Sequence, residues 1–211
     1  MRLSLLPTLA DYCASLPGEF SQITDDRRQQ LQPLSDYLYS KRSPSRPVSM
    51  TVICTHNSRR SHMGQLWLQT AATYYGVADV RTYSGGTEAT AFHPHAVASL
   101  RRAGFDIQTA QQTLNPVYTV RASDDGPAWR AFSKRFNDST NPDREFAAIM
   151  VCTDADQNCP IVPGAETRVS LPYEDPKAYD GTPQEAPQYD RCCRQIAREM
   201  FYAMSTAGES H

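Results

Sequence analysis

What this 211-residue sequence lacks narrows its role quickly. It has no apolar run near the roughly 18 residues that a membrane-spanning helix needs, so no membrane is expected. It has no strong charge of one sign. The formal net charge is −2, which argues against nucleic acid as a partner. It has no internal repeat. It also lacks a convincing secretory leader, because Pro7 and Asp11 interrupt the short apolar stretch of MRLSLLPTLADYC and only Arg2 precedes it. A cytoplasmic location is therefore expected. Cysteines are present, at positions 13, 54, 152, 159, 192 and 193, but none has the Cys/His spacing of a structural zinc site. In a reducing compartment such thiols are reactive or buried rather than paired as permanent disulfides.

What is there divides at residue 47. Residues 1–47 read as a polar, helical extension ending in a linker. Leu31, Leu34, Tyr37 and Leu38 follow helical spacing, and Thr24 or Asp25 is a suitable N-cap. The run S-K-R-S-P-S-R-P then breaks the pattern. From residue 48 to 211, strands alternate with helices. Strands are expected at 48–54, 79–84, 147–153 and 168–171, with a less regular extended stretch at 117–122. Helices are expected at 61–75, 92–103 and 189–204. The last shows Tyr189, Cys193, Ile196, Met200 and Ala203 on one face. Such alternation predicts an α/β fold, a parallel sheet with helices on both faces. Ligands of such sheets gather beyond the carboxyl ends of the strands, where Cys54, Ser84 and Cys152 fall.

The segment C-T-H-N-S-R-R-S, Cys54 to Ser61, stands between a strand and a helix. A helix N-terminus offers unpaired N–H groups and partial positive charge, so a loop entering it can wrap a tetrahedral anion. Thr55, His56, Asn57, Ser58, Arg59 and Arg60 are the candidate oxyanion-binding residues, with Arg60 able to hold two oxygens at once. The same positive surroundings favour the thiolate of Cys54 as a nucleophile, which Ser61 can steady with a hydrogen bond. Asn57 suits a left-handed backbone or a bracing role.

This loop resembles that of the low-molecular-weight protein tyrosine phosphatases and of the thioredoxin-coupled arsenate reductases, which share a fold. The segment V-C-T-D-A-D-Q-N-C-P-I-V-P, residues 151–163, resembles the redox segment of the reductases, and Y-E-D-P, residues 173–176, resembles the acid loop of both branches. Within the first, T-D-A-D-Q-N is polar and turn-forming, so a mobile turn is expected between Cys152 and Cys159. The motifs occur in the family's order, and the likeness spans residues 48–206. It implies a three-layer α/β/α fold around a four-stranded parallel sheet. It also implies that Asp175 is the general acid, held in extended backbone by Pro176. In a phosphatase, Cys54 alone would carry the phosphoryl group of phosphate or phosphotyrosine. In a reductase, Cys54 would attack arsenate, Cys152 would attack Cys54 and Cys159 would attack Cys152, the last disulfide passing to thioredoxin. A module that only binds phosphate or senses redox state is a third reading, and Asp175 argues against it because a binder needs no acid.

No tightly bound cofactor is expected. The family resemblance does imply a potassium ion near the loop, with Asn57 and Ser84 as candidate ligands, although Gln65 stands where a Glu is expected. His56 and Arg59 also depart from the small or neutral residues of the family. The stretch 116–144 contains A-W-R-A-F-S-K-R-F-N-D, which reads as an amphipathic element packed on the core or as the lining of a substrate groove. Cys192 and Cys193 read as inert thiols, Cys13 as incidental, and His93 and His95 as capping or solvent-facing residues.

Overall fold

β1 (Val48–Cys54) is the hub of the fold, and its sequence says why: V-S-M-T-V-I-C is rich in β-branched residues and buried almost throughout. The computed structural model describes residues 4–41, 47–158 and 161–207. β1 pairs in parallel with β2 (Val80–Gly86) on one side and with β6 (Phe146–Met150) on the other. β7 (Ala165–Ser170) extends the sheet beyond β6, giving the order β2-β1-β6-β7. The sheet is four-stranded and wholly parallel, with helices on both faces, as expected.

α3 (Arg60–Tyr75) carries the chain from β1 to β2 and ends at Gly76 in the left-handed conformation. α4 (Pro94–Arg102) follows β2, and α6 (Glu185–Thr206) closes the chain against α3 and α4. The predicted face of α6 is the buried one: Tyr189, Cys193, Ile196, Met200 and Ala203 all lie in the core. Among the described residues no helix is long and apolar enough to cross a membrane. A second, antiparallel sheet of three short strands comprises β3 (Asp106–Gln108), β4 (Tyr118–Arg121) and β5 (Trp129–Ala131). The sequence suggested only β4, because strands of three residues are too short to show a period. α5 (Thr153–Asn158) differs from expectation in another way. Its polar residues read as a turn, yet they form a helix pinned by Asp156, which pairs with Arg168 at 2.6 Å and accepts from Ser170 Oγ at 2.8 Å. These tertiary partners overcome weak helix propensity.

Residues before β1 form α1 (Pro7–Ser15), a 3-10 turn at Pro17–Gln22 and α2 (Asp25–Ser40). Thr24 caps α2, accepting from Arg27 N at 3.3 Å. Pro33 inside α2 is tolerated because it lies on the exposed side, where water can satisfy the freed carbonyl of the preceding turn. Leu9, Cys13, Leu16, Leu31 and Leu34 are fully buried in the same apolar cluster as the sheet and α6. Tyr12 stacks on Trp67 of α3 at 5.1 Å. Arg27 reaches Glu199 of α6, itself only 2% exposed, through Nε at 2.9 Å and Nη2 at 2.8 Å, and its guanidinium lies over the Tyr173 ring at 4.7 Å. Residues 42–46 of the expected linker lie outside the described residues.

Since Leu34 is fully buried, Leu34→Ala is expected to lower the unfolding free energy by about 2–5 kcal/mol. Urea denaturation should show this as one cooperative transition. Two transitions, with only one of them moved, would show that the N-terminal helices form an independent unit.

Candidate functional site

The parallel register brings three strand ends to one edge of the sheet. Cys54 ends β1 opposite Gly86 of β2. Ile53 pairs with Met150 on the other side, so Cys152 emerges two residues beyond that pair. Cys54 and Cys152 are both buried and free. Thr55 Oγ1, in the residue after Cys54, lies 3.4 Å from Cys152 Sγ. Cys152 Sγ also accepts from Ala155 N at 3.4 Å, at the start of α5. Cys159 lies outside the described residues.

From Cys54 the loop turns into α3, and its carbonyls are held from outside. Glu88 N donates to Thr55 O at 2.8 Å, Ser133 Oγ to His56 O at 2.9 Å, and His93 N to Ser58 O at 2.9 Å. The amides of Thr55 to Arg59 donate no hydrogen bond among the described residues. A concave run of free amides ahead of a helix is the arrangement that anions occupy. Ser61 Oγ stands 3.1 Å from Cys54 Sγ.

Asn57 holds this loop together. Its φ of 44° is left-handed, and it is fully buried. Nδ2 donates to Ser61 Oγ at 2.8 Å, and Oδ1 accepts from Lys134 N at 2.9 Å. Both roles read from the sequence, left-handed backbone and brace, are present together. Lys134 belongs to the stretch that the sequence offered as an amphipathic element on the core or a groove lining; here it is a strap that braces the loop, a role the sequence did not suggest. Gly86 N donates to Lys134 O and Phe136 N to Gly86 O, both at 2.9 Å. A Cβ on Gly86 would meet Glu88 O at 2.2 Å and Asn57 N at 2.7 Å, so only glycine allows this approach. Residues 133–136 thus buttress the loop from outside. No short motif marks them, since apart from the Ser133 hydroxyl their bonds run through backbone groups.

Behind the loop the site carries buried positive charge. The Lys134 side chain is 6% exposed, and burial pushes its pKa down to about 8. His62 is fully buried, with Nδ1 3.3 Å from Ser84 Oγ. Burial, then the charge of Lys134, pushes its pKa down to about 3. The groups expected to hold potassium are thus already engaged: Asn57 Oδ1 by an N–H and Ser84 Oγ by His62. Lys134 adds positive charge to the same region. The residues present do not suit such an ion.

Two arginines leave the loop in different directions. Arg60 pairs with the Asp175 carboxylate and donates to Tyr173 O at 2.7 Å, while its Nε–H is buried and unpaired. Asp175 follows β7 and opens the 3-10 turn at Pro176–Tyr179, accepting from Lys177 N at 3.1 Å. Arg60 therefore joins the loop to the expected acid. Arg59 turns away: Nε donates to Tyr189 Oη at 2.6 Å and Nη2 to Asp180 Oδ2 at 3.2 Å. His56 is half-exposed, 3.7 Å from Glu88. Burial pushes the thiols of Cys13 and Cys192 up to about 12 and that of Cys193 up to about 11, which keeps them protonated near neutral pH.

Comparison with known proteins agrees with this geometry. The family model for low-molecular-weight phosphotyrosine protein phosphatase matches residues 49–119, which include the whole Cys54–Ser61 loop. An arsenate reductase of Bacillus licheniformis is 28% identical over 160 residues, 74% of this chain and 94% of that relative. An arsenate reductase of Bacillus subtilis is 29% identical over 133 residues, 63% of this chain and 77% of its own. In fold, the chain is similar to a low-molecular-weight protein tyrosine phosphatase from Bacillus subtilis, with a TM-score of 0.50 and 15% identity, covering 75% of this chain and 96% of that one.

Two measurements test this architecture. Asn57→Ala leaves the buried Lys134 N–H unpaired and is expected to cost about 1–3 kcal/mol on thermal denaturation. Asn57→Gly, which relieves the left-handed strain but restores no bond, should recover only a minor part. The unfolded chain protonates His62 near 6.5 and the folded chain near 3. The unfolded state therefore binds more protons between these values, and stability falls as pH drops through that window. His62→Gln should flatten the curve there relative to the parent. Parallel curves would show that His62 is not held neutral.

Proposed function

We propose that this relative of the low-molecular-weight phosphatases and arsenate reductases is an arsenate reductase-like enzyme. Cys54 is its nucleophile, and a cysteine relay through Cys152 leads to a dithiol of the thioredoxin class. The observation that carries the reading is the meeting of a second thiol with the nucleophile's loop: Thr55 Oγ1 lies 3.4 Å from Cys152 Sγ. A phosphatase has no use for that thiol.

The chemistry follows from the site. Arsenate is held by the loop amides and by Arg60, which exchanges Asp175 for the anion. The Cys54 thiolate attacks arsenic, and Asp175 protonates the departing oxygen. Cys152 then attacks Cys54 Sγ. The new S–S bond gives the As–S electron pair to arsenic, which leaves as arsenite in the lower oxidation state. Cys159 attacks Cys152, freeing Cys54 as a thiolate, and an external dithiol reduces the Cys152–Cys159 bond with two electrons. α5 separates the last two thiols in the sequence. A disulfide needs Cα atoms within about 7 Å, so forming that bond draws on the freedom of the segment 153–158 and competes with the Asp156 contacts that hold α5. The reading places the protein in a reducing, cytoplasmic setting.

Phosphomonoester hydrolysis, phosphotyrosine included, is the second reading. The family match at residues 49–119 favours it, and Cys54, Arg60 and Asp175 suffice for it. Purified protein assayed with arsenate, thioredoxin, thioredoxin reductase and NADPH, beside p-nitrophenyl phosphate, separates the two. Arsenate-dependent NADPH oxidation is expected and should vanish in Cys152→Ser, while any phosphate ester hydrolysis survives. Asp175→Asn should slow turnover about 10²–10⁴-fold. If NADPH oxidation is absent while ester hydrolysis persists in Cys152→Ser, the chain is a phosphatase. Either activity surviving in Cys54→Ser defeats the whole assignment.

A further inference from the structure

Away from the two thiols, three side chains capable of binding a metal converge among the described residues. His93 and His95 frame the start of α4, and Asp180 closes the 3-10 turn that Asp175 opens. His93 Nε2 is 3.9 Å from Asp180 Oδ2, and His95 Nδ1 is 3.8 Å from Asp180 Oδ1. All three ligand atoms lie within 4.8 Å of one another. A tetrahedral ion with bonds of about 2.0–2.2 Å holds its ligands about 3.3–3.6 Å apart, so the group must contract by at most about 1.5 Å.

The surroundings of His95 favour ligation. Its Nε2 lies 3.2 Å from Glu185 Oε1, a contact that favours the proton on Nε2 and the Nδ1 lone pair toward Asp180. That Nδ1 is buried and has no hydrogen-bond partner. A carboxylate behind a histidine, with the far nitrogen free, is the usual outer support of a metal-binding imidazole. His93 needs one change. Its Nδ1 now accepts from His95 N at 3.3 Å and lies 3.4 Å from Tyr189 Oη. Ligation through Nε2 moves the proton to Nδ1, which gives up the bond from His95 N and donates to Tyr189 Oη instead. The N-terminus of α4 and Arg59 both oppose a cation here. Asp180 and Glu185 together outweigh the single guanidinium, and the other Asp180 oxygen can keep Arg59 while one binds metal.

We propose that His93, His95 and Asp180 bind a divalent transition-metal ion of the zinc class, with water as the fourth ligand. The side chains are a quarter to two-fifths exposed, so an ion can enter from solvent. Two imidazoles and one carboxylate suit zinc better than calcium or magnesium. Bound there, the ion ties the segment that follows Asp175 to α4, and it shares the carboxylate that holds Arg59 of the oxyanion loop. The proposal does not depend on which reaction the chain catalyses.

Cobalt(II) is the probe, titrated into Cys54→Ser protein so that the nucleophile cannot capture it. One equivalent should bind with the visible spectrum of tetrahedral nitrogen and oxygen ligation, and zinc should displace it. His95→Gln and His93→Gln should each weaken binding at least about tenfold, and Glu185→Gln about 10–100-fold. Thermal melting of each metal-free variant establishes that it folds. Binding unchanged in both histidine variants overturns the proposal. So does a thiolate-to-cobalt charge-transfer band, which would mark capture by another cysteine, and so does the absence of any tetrahedral spectrum at millimolar cobalt.

Discussion

The pairing of β1 with a parallel strand on each side is the constraint on which this molecule rests. Parallel pairing aligns strand ends of the same polarity. It therefore delivers Cys54, Gly86 and the chain leading to Cys152 to one edge. A shift of one residue in β1 would turn Cys54 to the opposite face of the sheet and separate it from α3. The near-complete burial of β1 on both faces opposes such slippage. The loop then needs only local chemistry: a helix start for positive potential, a left-handed Asn57, and glycine at position 86 to let backbone approach backbone.

Much of this was legible in the sequence because it is local. The strand-loop-helix run at residues 48–75, the acid before Pro176 and the buried face of α6 each depend on residues close together in the chain. What was not legible is tertiary. Ser133 and Lys134 hold the loop through a hydroxyl and a backbone N–H, and neither leaves a pattern in side-chain identity. α5 read as a turn because Asp, Asn and Gln favour turns. Its helix depends on Arg168 and Ser170, which lie beyond it in β7. The relation of His93 and His95 to Asp180 was equally hidden, since some 85 residues separate them. The capping role of His93 was readable, because its partner is two residues away.

The two arginines of the loop show how neighbours in sequence part in function. Arg60 opens α3, while Arg59 before it is the non-helical N-cap with φ −126° and ψ −84°, so the two side chains leave in different directions. Arg60 therefore meets the segment around Tyr173 and Asp175, and Arg59 meets Tyr189 and Asp180. Both lead to the stretch after β7, so the loop and that stretch are joined at two points. A positive residue at 59, unusual for the resembling family, becomes intelligible once Asp180 and Tyr189 stand opposite it.

The contact between Arg27 and Glu199 bears on how the molecule can be divided. An engineer who cut the chain at the start of β1, to keep only the part that resembles the smaller relatives, would remove Arg27 but leave Glu199 behind. Gln195 would remain to bond one of its oxygens. The other would lose Arg27 and, with α2 gone, meet water instead. The larger cost would be the underside of α6, no longer covered by α2 and left as a sticky apolar surface. Such a fragment would have to be re-surfaced along the apolar positions of α6 before it could stand alone, and in that sense the first helices serve as a fitted cover for the last.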